Sequence, residues 1–393
     1  MPRLAYISFD MVPAPKGAST HIAAFAQALA RSFGSIDLVT VCGSMIPQPR
    51  FERWPGVFHS ELPALGASLI DRVICFRACL KRWLSSRVFD LVQFRSIFEG
   101  HPLLDLRPRP QLVFEVNGLP SIELKYRYPQ VADDRVLMHK LFSQEQACLH
   151  AADRIVTPST VTASYLERRG VSPAKIRVIP NGVDTAVFHG AESSPDAGDE
   201  IRLLYFGTLA SWQGVDLAIR AVAQISAQTP ARLTILGAAN ARQREQVAAL
   251  AAKLGIAGRV EIAGPVAQSV LVTALHRSFA VLAPLPMNDR NLAQGCCPLK
   301  ILEGMAAGVP VIASDLPVVR ELGRHGLHFL LVKPGSVDQL AQAVLQLKAE
   351  PGLRSMLAAN GPPHIAAGYT WERSGASLTG VCEELGIGRP NSD

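Results

Sequence analysis

The chain has 393 residues, 48% of them hydrophobic and 18% charged, with a formal net charge of +6. That length exceeds the ~250–300 residues at which single cores stop growing, so two domains are expected, each apolar enough to bury its own core. The basic excess is modest and unclustered; without a dense Lys/Arg run, zinc spacing or an aromatic-plus-basic motif it argues against nucleic acid and leaves a solvated surface, phosphorylated substrates or peripheral contact with an anionic membrane as its readings.

In chain order, a buried strand is predicted at 4–9, then a Pro/Gly loop, then an Ala-rich helix at about 20–32. Further strands are predicted at 36–41, 91–94 and 112–116, a helix at about 135–152, and strands at 154–158 and 175–179. The latter ends at the turn Pro180-Asn181-Gly182. A short polar stretch at 190–200, GAESSPDAGDE, reads as an interdomain linker. The alternation then restarts, with strands at 201–206, 232–236, 260–263, 280–283, 310–313 and 329–332. Helices are expected between them at about 215–228, 242–254, 269–277, 299–307 and 337–348. A final helix at about 369–385 either closes the second domain or crosses back to the first. Strands alternating with helices imply parallel sheets covered on both faces, so the predicted class is α/β, as two tandem Rossmann-like, doubly wound domains facing a cleft.

The 7 cysteines are odd in number and irregularly spaced, which suits a reducing cytoplasm better than a disulfide framework. No metal-ligand spacing occurs, so neither a metal nor a cofactor is expected. The opening MPRLAYISFDMVPAPKG lacks the pattern of a signal peptide. No apolar run reaches the ~18 residues of a transmembrane helix, so any membrane contact is expected to be peripheral.

Ligands of open parallel sheets bind outside the carboxyl ends of the strands, and several loops there carry unusual residues. After the first strand comes Gly17-Ala18-Ser19-Thr20-His21. Gly17 permits close backbone approach, Ser19 or Thr20 can cap a helix, and His21 is either a site residue or a solvated histidine of the first turn. After the strand at 112–116 comes Glu115-Val116-Asn117-Gly118-Leu119-Pro120, with Glu123 and Lys125 beyond. Turn chemistry alone accounts for Asn117-Gly118, and an acceptor site with two acids is the other reading. Pro180–Asp184 reads as a hinge turn. Phe206-Gly207-Thr208-Leu209 and Trp212-Gln213-Gly214 follow the first strand of the second half without a GxGxxG pattern, which weakens a dinucleotide-dehydrogenase reading.

The most informative stretch is QGCCPLKILEGMAAGVPVIAS at 294–314, a glycine-bearing loop running into a short helix, a tight turn and a strand. A loop entering a helix offers free N–H groups and a positive dipole end to phosphate. Glu303 on that helix suits hydroxyl groups, since an ionised acid is an acceptor only. Phosphate plus hydroxyls suggests a nucleotide sugar. As a plain structural feature, Glu303 is a cap partner of a core-facing helix start.

Taken together, the loop GASTH, the signature VIPNGVD (178–184), FGTL, the block KILEGMAAGVPVIASD (300–315) followed by PVVREL, and LLVKPGSVDQLAQAV (330–344) resemble the retaining nucleotide-sugar glycosyltransferases of family 4. The resemblance runs the length of the chain and implies the GT-B architecture. It implies an acceptor-binding domain at residues 1–190, joined by the last helix at 370–386, and a nucleotide-sugar-binding domain at 198–369. It further implies a metal-independent retaining transferase, with polysaccharide or glycolipid biosynthesis as its setting and a carbohydrate or lipid-linked acceptor as partner. Donor contacts then fall to Gly207, Thr208, Gln213, Gly264, Gly295, Cys296, Cys297, Pro298, Leu299, Lys300 and Glu303. Acceptor contacts fall to Gly17, Ser19, His21, Glu115, Asn117 and Glu123, and Lys300, Glu303 and Asn117 are the catalytic candidates.

The chain departs from the family pattern in three places. Gly295 stands where many relatives carry the first of two glutamates separated by seven residues, and Glu303 matches the second. Thr208 and Gln213 stand where many carry Arg and Lys. Asn117 to Pro120 occupies the region of a catalytic-loop histidine. A departing diphosphate needs positive charge, and no Asp-x-Asp metal pair is present, so Lys300, with Arg290, is expected to supply it. No carboxylate nucleophile is evident, which suits a front-face route in which the leaving phosphate takes the acceptor's proton. A subunit that kept the fold and lost the chemistry, or an epimerase or hydrolase sharing the donor site, are the competing readings.

Overall fold

The computed structural model describes residues 1–42, 49–131, 133–190, 200–237 and 240–389. Apart from its end residues Gly190 and Glu200, the predicted linker lies outside the described residues. The chain divides into two compact units: Met1–Ala14, Ala18–Pro180 and Glu372–Asp393 form one, and Pro15–Gly17 with Asn181–Trp371 form the other.

The first unit begins with β1 (Leu4–Ile7), α1 (Gly17–Phe33) and β2 (Ile36–Cys42), then β3 (Phe51–Trp54), β4 (Val57–Pro63) and α2 (Leu69–Leu84). It continues through β5 (Leu91–Phe94), α3 (Ile97–Gly100), β6 (Gln111–Glu115), α4 (Pro120–Arg127), α5 (Arg135–Ala151), β7 (Arg154–Thr157), α6 (Thr160–Arg168) and β8 (Ile176–Val178). The sheet order is β3-β4-β2-β1-β5-β6-β7-β8, parallel except for the antiparallel β3–β4 pair. Every residue of β1 and β5 is buried, as expected of central strands covered on both sides. The strand order reverses at β1, so the ends of β1, β5 and β6 form the switch region where such sheets bind ligands.

The second unit runs β9 (Ile201–Phe206), α7 (Val215–Ser226), β10 (Ala231–Leu236), α8 (Ala241–Lys253), β11 (Val260–Ala263), α9 (Gln268–His276) and β12 (Ala280–Ala283). It then runs α10 (Leu299–Ala306), β13 (Val311–Ser314), α11 (Pro317–Arg320), β14 (Leu330–Val332), α12 (Val337–Ala349) and α13 (Pro351–Gly368). Its sheet is wholly parallel, in the order β11-β10-β9-β12-β13-β14, with the switch between β9 and β12. The amphipathic α7 buries Ala218, Ile219, Val222 and Ile225 against this sheet.

From Glu372 onward the last helix, α14 (Trp371–Glu384), belongs to the first unit. Thr379 lies 2.9 Å from Ser32 of α1, and Glu384 accepts from Arg154 and Arg177 at 2.7–3.1 Å. Gly375 is required there, because a side chain would meet the Ala28 methyl at 2.6 Å.

Candidate functional site

In the second unit several of the residues expected to contact a donor gather along the carboxyl edge of the sheet. Gly207, Gly237 and Gly264 follow β9, β10 and β11, which are neighbours. Gly237 has no room for a side chain, because a Cβ would lie 1.7 Å from the Gly207 carbonyl oxygen. Gly264, at the same edge, faces open space. The Thr208 carbonyl oxygen accepts from the buried Tyr205 hydroxyl at 2.8 Å.

Lys300, in the first turn of α10, reaches into this edge although it is only 7% exposed. Its Nζ donates to Gln213 Oε1 at 2.7 Å and sits 4.1 Å from the centre of the Tyr205 ring. Nζ would also stand 3.7 Å from a Gly207 Cβ. Three residues of β9 and the loop after it therefore converge on one ammonium group. Burial pulls its pKa down to about 7, with Cys296 and Glu303 opposing the shift and Arg290 assisting it. One turn on, burial pushes Glu303 up to about 8, against the pull of Lys300. Among the described residues nothing hydrogen-bonds the Glu303 carboxylate, so both of its oxygens are open to a ligand.

The loop ahead of α10 is shaped by its backbone. The π-helical turn Arg290–Gln294 closes through Gly295 N–H donating to the Arg290 carbonyl oxygen at 3.0 Å. Gly295 has φ +84°, a conformation that disfavours any side chain. The glycine is thus a requirement of the turn, and a glutamate there would strain it. Cys296 and Cys297 are buried, and burial pushes the Cys297 thiol up to about 12, which favours the neutral thiol. The Cys297 carbonyl oxygen accepts from Asn181 Nδ2 at 2.7 Å, so the PNG turn braces the loop. Pro298 precedes Leu299 at the start of α10 and no side chain caps this end, which leaves the helix start to a ligand. Arg290 lies over the Trp212 ring at 5.6 Å and donates to Asn291 at 3.1 Å. Gly17, in the second unit, has Leu299 Cδ1 at 2.9 Å from where its Cβ would be.

In the first unit two of the residues expected at an acceptor, His21 and Asn117, meet at one buried carboxylate. Glu115, at the end of β6, is 1% exposed. Its Oε2 accepts from the Tyr6 hydroxyl at 2.5 Å and from Gln93 Nε2 at 2.6 Å. Its Oε1 lies 2.9 Å from both His21 Nε2 and Arg95 Nε, and accepts from Asn117 Nδ2. Burial alone would raise this carboxyl, but the charges of His21 and Arg95 and the bonds from His21 and Tyr6 hold it down at about 2. Sequence reasoning placed Glu115 at the acceptor; the structure turns its carboxylate onto protein donors. Ser19 is likewise spent within its loop, accepting from Ala14 N–H at 2.8 Å. The Glu123 carboxylate folds back over Gly118, 2.7–2.8 Å from where a Cβ would stand. Behind this loop the fully buried Glu145 accepts from Ser121 N–H and Oγ at 2.7 and 2.6 Å and from Arg169 at 2.6 Å, which pins the start of α4.

Tyr6, Gln93, Arg95 and Tyr205 were not singled out from the sequence. Gln93 and Arg95 carried a signal, polar side chains in and beside an otherwise apolar strand, which is rare unless they are paired. Among the described residues no cluster of His, Cys, Asp or Glu could hold a metal, and no helix is long and apolar enough to cross a membrane.

Two family descriptions match the chain: Glycosyltransferase Family 4 over residues 15–187 and Glycosyl transferases group 1 over residues 200–350. The D-inositol 3-phosphate glycosyltransferase of Acidothermus cellulolyticus is 30% identical over 246 residues, 59% of this chain and 53% of that protein. The enzyme of the same name from Geodermatophilus obscurus is 29% identical over 397 residues, 94% of this chain and 86% of that protein. The match thus spans about half the length of the first relative and most of the second. Among solved structures, the sucrose-phosphate synthase of Thermosynechococcus elongatus superposes with a TM-score of 0.82 at 22% identity, covering 98% of this chain and 99% of that one. Anabaena HepE, in complex with UDP and glucose, superposes with a TM-score of 0.72 at 15% identity, covering 98% of this chain and 100% of that one. At these identities the superpositions show the fold alone.

Proposed function

Since the chain belongs to the family 4 glycosyltransferases of the GT-B fold, we propose that it moves a sugar, with retention, from a nucleoside-diphosphate sugar to a hydroxyl of a carbohydrate or lipid-linked acceptor. The observation that carries this reading is Lys300: a buried ammonium at an uncapped helix start, steered by Gln213 and Tyr205 to a sheet edge lined with glycines. Buried ammonium groups are costly without a partner anion, and a diphosphate supplies one. Lys300 and the N–H groups of α10 bind the diphosphate and stabilise the charge that grows on it as the glycosidic bond breaks. Glu303, with no hydrogen-bond partner among the described residues, accepts from the ribose hydroxyls. Gly207, Thr208, Gln213 and Gly264 line the donor side, and Cys296 to Leu299 set the loop's backbone. No metal takes part in this reading, because a lysine and a helix dipole meet the leaving charge.

On the acceptor side, the half-buried Asn117 follows the end of β6 in the first unit, with the buried His21 bracing the Glu115 beneath it and Glu123 folded over Gly118 beside it. The acceptor oxygen attacks the anomeric carbon as the bond to the diphosphate breaks, and its proton passes to a diphosphate oxygen. The inositol phosphate named for the sequence relatives makes a phosphorylated polyol a first acceptor to try, and the UDP held by HepE makes UDP the first nucleotide. Peripheral association with the inner membrane face, through the basic excess, remains part of the proposal.

Thermal-shift titration with UDP, GDP and ADP tests the donor reading, since a ligand that binds only the native state raises apparent stability. One of them should stabilise the wild type. Lys300→Ala should stay folded, lose most of that shift and turn over donor roughly 100-fold more slowly. Equal shifts and equal turnover in the two proteins would remove Lys300 from the site. Gly295 favours one rival, a binding subunit without chemistry, because it leaves the sugar without a second glutamate. Slow hydrolysis of a nucleotide sugar by the wild type would rule that out.

A further inference from the structure

The geometry points to Glu115 as a positioning residue that fixes the Asn117 amide so that its carbonyl oxygen receives the attacking acceptor hydroxyl. This rests on the transferase reading above. Glu115 ends β6, and the loop carrying Asn117 begins at once, so the two side chains share one rigid strand end. The Asn117 amide has one donating and one accepting end, whereas an ionised carboxylate accepts only. The bond from Asn117 Nδ2 to Glu115 Oε1 therefore decides which way the amide faces. Oδ1 is turned away from the carboxylate, and among the described residues nothing bonds to it. Asn117 is half-buried while Glu115 is closed off from solvent, so the acceptor meets the amide and not the acid.

Glu115 is suited to this task because its partners hold it in place and ionised at neutral pH. Tyr6, Gln93, His21 and Arg95 occupy its two oxygens from three other elements, β1, β5 and α1, and from the turn after β5. Arg95 is itself tied to the Ala18 carbonyl oxygen at 3.2 Å and lies 3.7 Å from Asp10. The hub is thus a rigid ionic node beneath a single oriented amide. In transfer, Oδ1 holds the hydrogen of the incoming hydroxyl. The acceptor oxygen forms its bond to the anomeric carbon, the bond from that carbon to the diphosphate breaks, and the diphosphate oxygen, now more basic than an amide, takes the hydrogen. Without an added acceptor, water occupies the same place and the donor is hydrolysed.

The test measures donor consumption and UDP affinity in the full chain, using UDP-glucose, UDP-galactose, UDP-N-acetylglucosamine and GDP-mannose, with and without glucose or myo-inositol. Asn117→Ala, which leaves the hub intact, should lower kcat about 10–100-fold for every acceptor including water. KM for the donor and Kd for UDP should stay within twofold. Glu115→Gln should shift kcat in the same direction with the same separation from KM. If that variant does not fold, Asn117→Ala and Asn117→Asp decide alone, the latter expected to lose rate because a second carboxylate would be repelled by Glu115. A kcat within twofold of wild type in the folded variants overturns the inference. UDP affinity falling in step with kcat also overturns it, since that is the mark of a structural defect. A wild type that binds a nucleotide yet consumes none of these donors sinks the transferase reading itself.

Discussion

At the scale of single residues, Lys300 and Glu115 are two of the ionisable groups held far from their solution behaviour, and both make pH a probe. Lys300 is pulled down to about 7 by burial. An anionic diphosphate binds the charged lysine better than the neutral one, so UDP affinity should weaken about tenfold as pH rises from 7 to 8.5. Lys300→Ala should bind weakly and lack this fall, and calorimetric Kd values across that range would show it; the same slope in both proteins would locate the titration elsewhere. Glu115 moves the opposite way, held at about 2 against a usual 4.5. A carboxyl depressed in the folded state contributes stability that is whole above the unfolded pKa and lost as pH falls through the folded one. Between pH 5 and 2 the wild type should therefore lose on the order of 3 kcal/mol through this one group. Denaturant melts of Glu115→Gln should show a lower stability at neutral pH and a flatter decline in acid. Parallel acid profiles would mean the network does not control the carboxylate.

At the scale of elements, packing between helices shows what a sequence can and cannot disclose. The six strands of the second sheet were legible to within a residue or two, because short apolar runs between helical patterns have few other interpretations. Helix α13 was not: Pro362 and Pro363 lie inside it, and a double proline reads as a break. Nor were β3, β4 and α2, where Arg53, His59 and Glu61 interrupt the alternation and become understandable only once Arg53 is seen donating to both partners. The candidate site shows the same limit. Lys300 and Glu303 could be named as candidates from a helix start, and Asn117 and His21 from loops at strand ends, but Glu115's partners come from strands 22 and 109 residues away. Helices α10 and α13 offer a direct test. A methyl on Gly361 would lie 2.4 Å from the Met305 carbonyl oxygen, backbone that cannot yield cheaply. Gly361→Ala should cost about 1–3 kcal/mol and lower the melting temperature. An unchanged melting temperature would mean these helices do not pack so closely.

At the scale of the molecule, the first unit is assembled from stretches at both ends of the chain, and the second is strung between them. Each owns a separate apolar core, one centred on Phe94 and Phe114 and the other on Tyr205 and Ile219. The outgoing and returning segments run side by side. Within the first unit Ser374 Oγ donates to the Pro180 carbonyl oxygen at 2.8 Å, and within the second Val183 N–H donates to the Tyr369 carbonyl oxygen at 2.8 Å. Topologically the second unit is a guest inserted into a host whose severed ends already touch. Excising 181–371 and splicing the host across a few glycines should leave a protein that melts cooperatively and keeps its helical and sheet content by circular dichroism. A splice that comes out unfolded would mean the host needs its guest in order to fold. A stable one would open a route to grafting other parallel-sheet units onto the same frame.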